Sequence, residues 1–294
     1  MSTIAEPIHL CAVTNGFDVI GDVHGQFDKL VGLLQVLGYR ETAGAWRHPD
    51  RMAIFLGDLI DRGPKQWATV DLVRRMIDAG TARCVMGNHE LNAIAWVTRD
   101  PAKPGKFLRD HHMPGNLAQH QTFLEEVEGT RHQEIIAWFK TLPLWLDLGK
   151  LRIVHACWHQ ESMSQLEPLL GPNQTLTDEL IVLGNKRGHR AFEALEVVCK
   201  GPDIRLQAGI SFQENYGELP NEVRLSWWLP DVEWRTRPYS GPPVIFGHYW
   251  FTGIPEVISK QFACLDYSVA KGGPLVAYRW DGESELSSEK LEWV

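Results

Sequence analysis

The sequence predicts an α/β (α+β) fold. Two patterns in its first third predict it: short β-branched and aliphatic runs that stop abruptly at Gly-Asp or Gly-Asn, and amphipathic helical stretches between them. Strand-like runs then return in the tail after a long, mostly helical middle. The opening strand covers residues 17–20 and leads to a helix over 27–37, whose Leu30, Leu33, Leu34 and Leu37 share one face. A second strand over 52–56 leads to a helix over 66–79 with Val70, Val73 and Ile77 on its apolar side, and a third strand covers 83–86. This order puts polar loop residues at the carboxyl ends of neighbouring strands, where α/β proteins build their sites.

From Thr98 to His120 the chain turns polar, with Pro101, Pro104, Pro114 and the pair His111-His112, which predicts an irregular excursion. His111, His112 and His120 read as solvated loop residues rather than a metal site. A helix over 134–141 and a hairpin of 144–148 with 151–154, turned at Gly149-Lys150, come next. Residues 161–219 read as helix and loop, with 191–198 the clearest helix. A cap or insertion is therefore expected over 159–220, inside a single domain spanning 1–294. Tail strands are expected over 223–228, 244–246, 262–267 and 275–280, and core packing accounts for most of the twelve Trp residues.

The composition, 44% hydrophobic and 22% charged over 294 residues, supplies enough apolar material for one large core. A formal net charge of -8 provides no general basic field and argues against nucleic acid as a partner. Residues 1–12 carry no Lys or Arg ahead of their short apolar run, so no signal peptide is expected, and no run approaches membrane-spanning length. Cys11, Cys84, Cys157, Cys199 and Cys264 are odd in number and form no CxxC pair. They read as buried small hydrophobes in a reducing, cytoplasmic setting.

The chemistry resides in short polar segments at strand ends: Gly21-Asp22-Val23-His24-Gly25, Gly57-Asp58-Leu59-Ile60-Asp61-Arg62-Gly63, Gly87-Asn88-His89-Glu90, Val154-His155 and Gly247-His248. Most set a carboxylate, amide or imidazole beside a glycine that lets the backbone turn sharply. A mixed O/N ligand set without thiolates suits Mn, Fe, Zn or Co better than Ca or Mg.

In this order the motifs resemble the calcineurin-like metallophosphoesterases. The spellings GDLIDRG and GNHE are similar to the phosphoprotein phosphatase branch, which includes bacterial symmetrical diadenosine tetraphosphatases. The likeness covers the first third and the tail from Val244, including Asp266 in CLDYS, and is weak over 158–241. It implies a two-layer β-sandwich flanked by helices, with all five loops meeting at one edge. It also implies two divalent metal ions, manganese foremost, with iron, zinc or cobalt as alternatives. Asp22 and His24 would hold one ion, Asp58 would bridge to the other, and Asn88, His155 and His248 would complete the second. Hydroxide generated between the two would attack phosphorus in line. Arg62 would clamp two phosphoryl oxygens with its planar fork, and Asn88 would also border the substrate. His89 would protonate the leaving oxygen, and Asp61 would orient that imidazole. A second phosphate-contacting Arg is expected between His155 and His248. Of Arg187, Arg190, Arg205, Arg224, Arg235 and Arg237, Arg224 is preferred for its place before Trp227-Trp228.

Taken singly, a strand-end Asp is usually a helix cap and a lone His a hydrogen-bonded core residue. An ordered series of five such strand ends is not obtained from capping alone. Glu90 reads as a helix-start carboxylate that organises its loop, not as a base. Cys157 and Trp158 depart from the small continuation usual after the strand-end His. The leading reading is hydrolysis of a phosphomonoester, on a small molecule, nucleotide or phosphoprotein. Its alternative is a dinucleoside polyphosphate hydrolase, and a further class is a non-catalytic metal- or phosphate-binding scaffold. A nuclease is disfavoured because Trp250 stands where such enzymes carry a second His.

Overall fold

The computed structural model describes residues 16–205, 222–229 and 239–294. Strand β1 (Gly16–Ile20), helix α1 (Phe27–Val36), a small hairpin of β2 (Arg40–Thr42) and β3 (Ala45–Arg47), strand β4 (Arg51–Phe55), helix α2 (Gln66–Asp78) and strand β5 (Ala82–Cys84) come first. Helices α3 (Asn88–Val97), α4 (Pro114–Glu126) and α5 (Gly129–Phe139) lead to the hairpin of β6 (Trp145–Asp147) and β7 (Arg152–Val154). Helices α6 (Gln160–Leu166), α7 (Asp178–Leu183) and α8 (Arg190–Lys200) precede β8 (Asp203–Arg205) and β9 (Glu222–Arg224). The tail carries β10 (Val244–Phe246), β11 (Phe262–Cys264), β12 (Val276–Trp280) and β13 (Leu291–Trp293).

The strands form two principal sheets, ordered β13-β12-β1-β4-β5 and β11-β10-β7-β6. Strands β1, β4 and β5 run parallel, as do β7, β10 and β11 in the second sheet. In each sheet the strands that feed the polar motifs therefore end on a common edge. Period-two alternation decides which side chains fill which layer. Val19, Ile54, Val276 and Tyr278 of the first sheet meet Ile153, Ile245 and Ala263 of the second in one apolar cluster. Their neighbours along the same strands, Ile20, Phe55 and Ala277, and Val154, Phe246 and Cys264, point to the outer faces and pack with the helices. The expected leucines of α1 and Val70 and Val73 of α2 are all buried there. The fold is the expected two-layer β-sandwich flanked by helices.

The structure differs from the sequence reading in several places. The irregular excursion over 98–120 ends earlier, because α4 starts at Pro114, where a fixed φ and missing N–H suit the first helical turn. Helix α5 begins at Gly129, five residues before the expected start, and the hairpin β2-β3 was not foreseen. The expected strand over 223–228 stops at Arg224: the chain turns so that Trp227 is fully buried, its Nε1 donating to Ala156 O at 2.8 Å. Within 159–220, α6, α7 and α8 send Met163, Leu166, Leu180, Leu195 and Val198 into the same apolar cluster as Val154 and Phe246. Val198 O also accepts from the backbone N–H of Ala156 and Cys157, both at 3.2 Å, which ties α8 to the end of β7.

Cys84, Cys157, Cys199 and Cys264 are buried, as expected, whereas Cys11 lies outside the described residues. So do residues 206–221, Arg235 and Arg237. No helix among the described residues is long and apolar enough to cross a membrane.

Ile54 is completely buried between the sheets. Ile54→Ala should cost about 2–5 kcal/mol through lost transfer energy and the cavity left behind. An unchanged urea midpoint would show that the two sheets do not share this core.

Candidate metal centre

The polar loops are built onto one another by backbone hydrogen bonds before any side chain is considered. Asp58 O accepts from the N–H groups of Val23 and His24 at 3.1 and 2.8 Å, and Leu59 O accepts from Gly25 N at 2.8 Å. This joins the loop after β1 to the loop after β4. The loop after β5 is joined to the same place by Glu90, whose Oε2 accepts from Asp58 N at 2.8 Å and Gly87 N at 3.0 Å while Oε1 accepts from Leu59 N at 2.8 Å. Glu90 is buried with both oxygens engaged by backbone N–H groups, so it organises its loop, in line with its place at the start of α3. Gly87 is required there, because a Cβ would collide with Asp58 Oδ1. Gly247 is required for the same reason against Asp22 Oδ1.

On this frame Asp58 is the meeting point. Its Oδ2 lies 3.7 Å from His24 Nε2 and 3.8 Å from His89 Nε2, and its Oδ1 lies 3.5 Å from His155 Nε2. Two groups with metal-ligand spacing share it: His24, Asp58 and His89, and Asp58, His155 and His248. Asn88 Oδ1 lies between the latter imidazoles, 3.1 Å from His155 Nε2 and 2.7 Å from His248 Nδ1. Asp22 borders the second group through Oδ2, which accepts from His248 N at 3.1 Å, and its charge acts on both Asp58 and His155. All six expected ligands, Asp22, His24, Asp58, Asn88, His155 and His248, are thus brought to one place.

The donor atoms fit cations. His24 Nδ1 donates to Ile60 O at 2.9 Å, which leaves Nε2 as a lone pair, and that atom is buried without a hydrogen-bond partner. Asp22 Oδ1 is likewise buried and unpartnered. His155 Nδ1 faces Leu56 O at 2.7 Å, so its Nε2 also turns toward the centre. A backbone carbonyl behind each imidazole is the usual support for a metal-bound histidine.

The electrostatics carry the same message. Burial, with His89 beside it, pushes His24 down to about 4, which keeps it in the neutral, ligating form. Burial together with the Asp266 and Asp58 carboxylates raises Asp22 well above the ordinary range. Against the opposing effect of burial, Asp58 and Asp22 push His155 up to about 10. Also against burial, the His155 and His89 imidazoles hold Asp58 well below the usual carboxylate range. Carboxylates this crowded hold on to protons, and imidazoles beside them gain protons, when no other positive charge is at hand. Backbone geometry adds to the picture: His24, Asp58, Asp61, Arg62 and His248 are five of the ten non-glycine residues with positive φ among those described. Left-handed backbone costs about 1–2 kcal/mol per residue, and strain of this kind collects at functional sites.

His89 and Asp61 form a close pair, Nδ1 to Oδ2 at 2.5 Å. The second Asp61 oxygen meets His120 Nδ1 at 2.8 Å, so one carboxylate holds two imidazoles. His120 is buried on α4 and is not a solvated loop residue; its spacing with Phe123 and Val127, also buried, was the helical signal that the polar surroundings hid. His111 is stacked between Trp96 and Phe107, with centroid distances of 3.9 and 4.3 Å, and of the three only His112 is exposed. Gln119, one residue before His120, sets its Nε2 3.1 Å from His89 Nε2, a contact with no sequence signature.

Arg62 stands at the rim with its guanidinium 4.3 Å from the Trp250 ring centroid. Arg224 also reaches the centre, but its donors are engaged. Nε and Nη2 bind Asp203 at 2.5 and 3.0 Å, and Nη1 lies 2.7 Å from His248 Nε2 and also donates to Lys200 O. Cys157 and Trp158 are core residues that leave the adjacent His155 in place.

Comparison with known proteins agrees with this geometry. The profile of the family described as calcineurin-like phosphoesterase matches residues 17–208. The asymmetrical bis(5'-nucleosyl)-tetraphosphatase PrpE of Halalkalibacterium halodurans is 49% identical over 147 residues, covering 48% of this chain and 56% of that protein. The chain thus spans little more than half the length of that relative. The symmetrical bis(5'-nucleosyl)-tetraphosphatase of Methylococcus capsulatus is 25% identical over 284 residues, covering 90% and 92% of the two chains. A provisionally named diadenosine tetraphosphatase of known structure superposes with a TM-score of 0.51 at 18% identity over 94% of each chain. A cold-active protein tyrosine phosphatase from Shewanella superposes with a TM-score of 0.51 at 17% identity over 95% and 80%. These two likenesses speak for the fold. With the profile matched across well over half of the sequence and the ligand groups meeting on a shared aspartate, the chain belongs to the calcineurin-like phosphoesterase family.

Proposed function

We propose that this chain is a metal-dependent phosphoric ester hydrolase that holds two divalent cations and acts on dinucleoside polyphosphates. The observation that carries the reading is Asp58, a single buried carboxylate shared by two ligand groups. Asp22, His24 and Asp58 would hold one cation, and Asp58, Asn88, His155 and His248 the other. Manganese is the first choice, and iron, zinc or cobalt also suit the O/N donors. Bound there, such cations supply positive charge for phosphoryl oxygens and make water acidic enough to attack at neutral pH.

The chain's own residues supply the rest. Arg62 has no carboxylate or carbonyl partner among the described residues, so its planar fork is free for two phosphoryl oxygens. Asp58 and Asp61 raise the pKa of His89 against its burial, which favours the protonated imidazole needed to hand a proton to a leaving oxygen. Asp61 orients that ring through Nδ1 and is itself fixed by His120. Gln119 covers the His89 Nε2 edge, so a leaving group reaching that atom displaces it. Arg224, whose donors are occupied, acts in this reading as a brace for His248 more than as a phosphate ligand.

The substrate class rests on the relatives. Proteins named as bis(5'-nucleosyl)-tetraphosphatases resemble this chain both over about half and over nine-tenths of its length. This favours the dinucleoside polyphosphate reading over the phosphomonoester reading that the motifs alone put first. Turnover of a phosphopeptide, a mononucleotide and diadenosine tetraphosphate measured side by side should give the highest kcat/KM for the tetraphosphate. A preference for the phosphopeptide would overturn the assignment, and the nucleotide products would show where the chain is cut.

Three variants test the site. Asp58→Asn should abolish stoichiometric manganese binding, read by calorimetry; retained binding would remove the shared ligand from the account. His89→Ala should keep the metal while lowering turnover about a hundredfold or more, the usual scale for a lost general acid. Glu90→Gln replaces an acceptor with N–H groups that face backbone donors. It should destabilise the fold by about 1–3 kcal/mol and weaken manganese affinity roughly 10–100-fold. Wild-type values in both measurements would show that Glu90 does not hold the ligand loops.

A further inference from the structure

At the rim of the centre, one indole carries two cations. The Arg62 guanidinium lies 4.3 Å and the Lys271 ammonium 3.9 Å from the Trp250 ring centroid. Both side chains are exposed, and among the described residues neither pairs with a carboxylate. Two like charges gathered on one ring without a counterion repel each other, and the acidic net charge of the chain makes such a pairing unexpected on an ordinary surface.

The arrangement is also fixed from behind. Trp250 has left-handed backbone, φ 50, and its N–H donates to Asp266 Oδ2 at 3.0 Å. The other Asp266 oxygen accepts from Ser268 N at 3.0 Å, and Ser268 opens the 3-10 turn Val269–Lys271. Ser268 Oγ returns to Phe251 O at 3.1 Å. One buried carboxylate therefore ties the loop bearing Trp250 to the turn bearing Lys271, and the ring and the ammonium are held together before any ligand arrives.

We infer that Lys271, placed by Trp250 beside Arg62, binds a second phosphoryl group, so that the site selects substrates with consecutive phosphates over monoesters. This rests on the hydrolase reading above and names the feature that would set its substrate class. Arg62 takes the phosphoryl group next to the centre, and the compact ammonium of Lys271 meets its neighbour along the chain. Trp250 keeps the two cations at a fixed separation by cation–π attraction and offers its own edge to whatever follows the phosphates.

The test is calorimetric titration of the manganese-loaded full chain with α,β-methylene-ADP and with AMP, which differ by one phosphoryl group. Wild type should bind the bisphosphonate at least about tenfold more tightly, the scale of one charge-assisted contact. Lys271→Ala should reduce that preference to about twofold or less, and Lys271→Arg should keep it. Trp250→Ala should lower it while leaving AMP bound. A Lys271→Ala protein with the wild-type ratio, or a wild type that does not distinguish the two nucleotides, overturns the inference. Because the readout is binding, failure to hydrolyse diadenosine tetraphosphate would sink the proposed function without deciding this point.

Discussion

A buried negative charge at Asp58 is the constraint on which the rest of the centre depends. Taking a carboxylate out of water is costly unless positive charge and hydrogen bonds compensate it. Here His155 and His89 keep it ionised, His89 N donates to Oδ1 at 2.9 Å, and Glu90 binds the backbone N–H of the same residue. These partners come from two strand ends: His89 and Glu90 follow β5 in one sheet, and His155 follows β7 in the other. The arrangement of the two sheets is thus tied to the solvation of one side chain: pulling the loops apart would leave Asp58 buried and unmatched.

Layering of function behind that residue follows a simple logic. Glu90 and Asp266 are both buried carboxylates that spend their oxygens on backbone N–H groups, Glu90 on the loop of Asp58 and Asp266 on Trp250, two residues after His248, and on Ser268. Burial and the nearby Asp58 push Glu90 up to about 7, and burial raises Asp266. The acidic residues around the centre therefore share one electrostatic load, and positive charge delivered to Asp58 and Asp22 relieves all of them together.

Much of this was legible in the sequence, for a physical reason. Ligand loops require glycines for close approach and specific donors beside them, and both leave local signatures, so Asp22, His24, Asp58, Asn88, His155 and His248 could be named as candidate ligands from spelling and order, and the structure brings them together. Side chains that act across space were not legible in this way. His120 was read as solvated because its segment is polar and rich in Pro, whereas its partner Asp61 lies 59 positions away. The same holds for Gln119 beside His89 and for Lys271 over Trp250, where no local pattern marks the contact. Arg224 is expected from the sequence to contact phosphate, and only the structure shows it against His248 with Asp203 occupying its fork. In the insert, weak periodicity hid α6 and α7 because short helices packed on one side supply too few turns to establish a stripe.

Parallel pairing of β1 with β4 and of β7 with β10 has a consequence for how the protein matures. The donors span positions 22 to 248, and β1 is flanked by β12 from the far end of the chain. No contiguous fragment shorter than that span can assemble a full coordination sphere, and non-local parallel pairing is slow to form. In the proposed reading, cation capture would consequently be a late event, a latch that closes only on a finished sandwich. A ligand that recognises only the native state adds stability by mass action, about 4 kcal/mol at a thousandfold excess over its dissociation constant. The supply of divalent ions would then set the lifetime of the folded protein as well as its readiness to work.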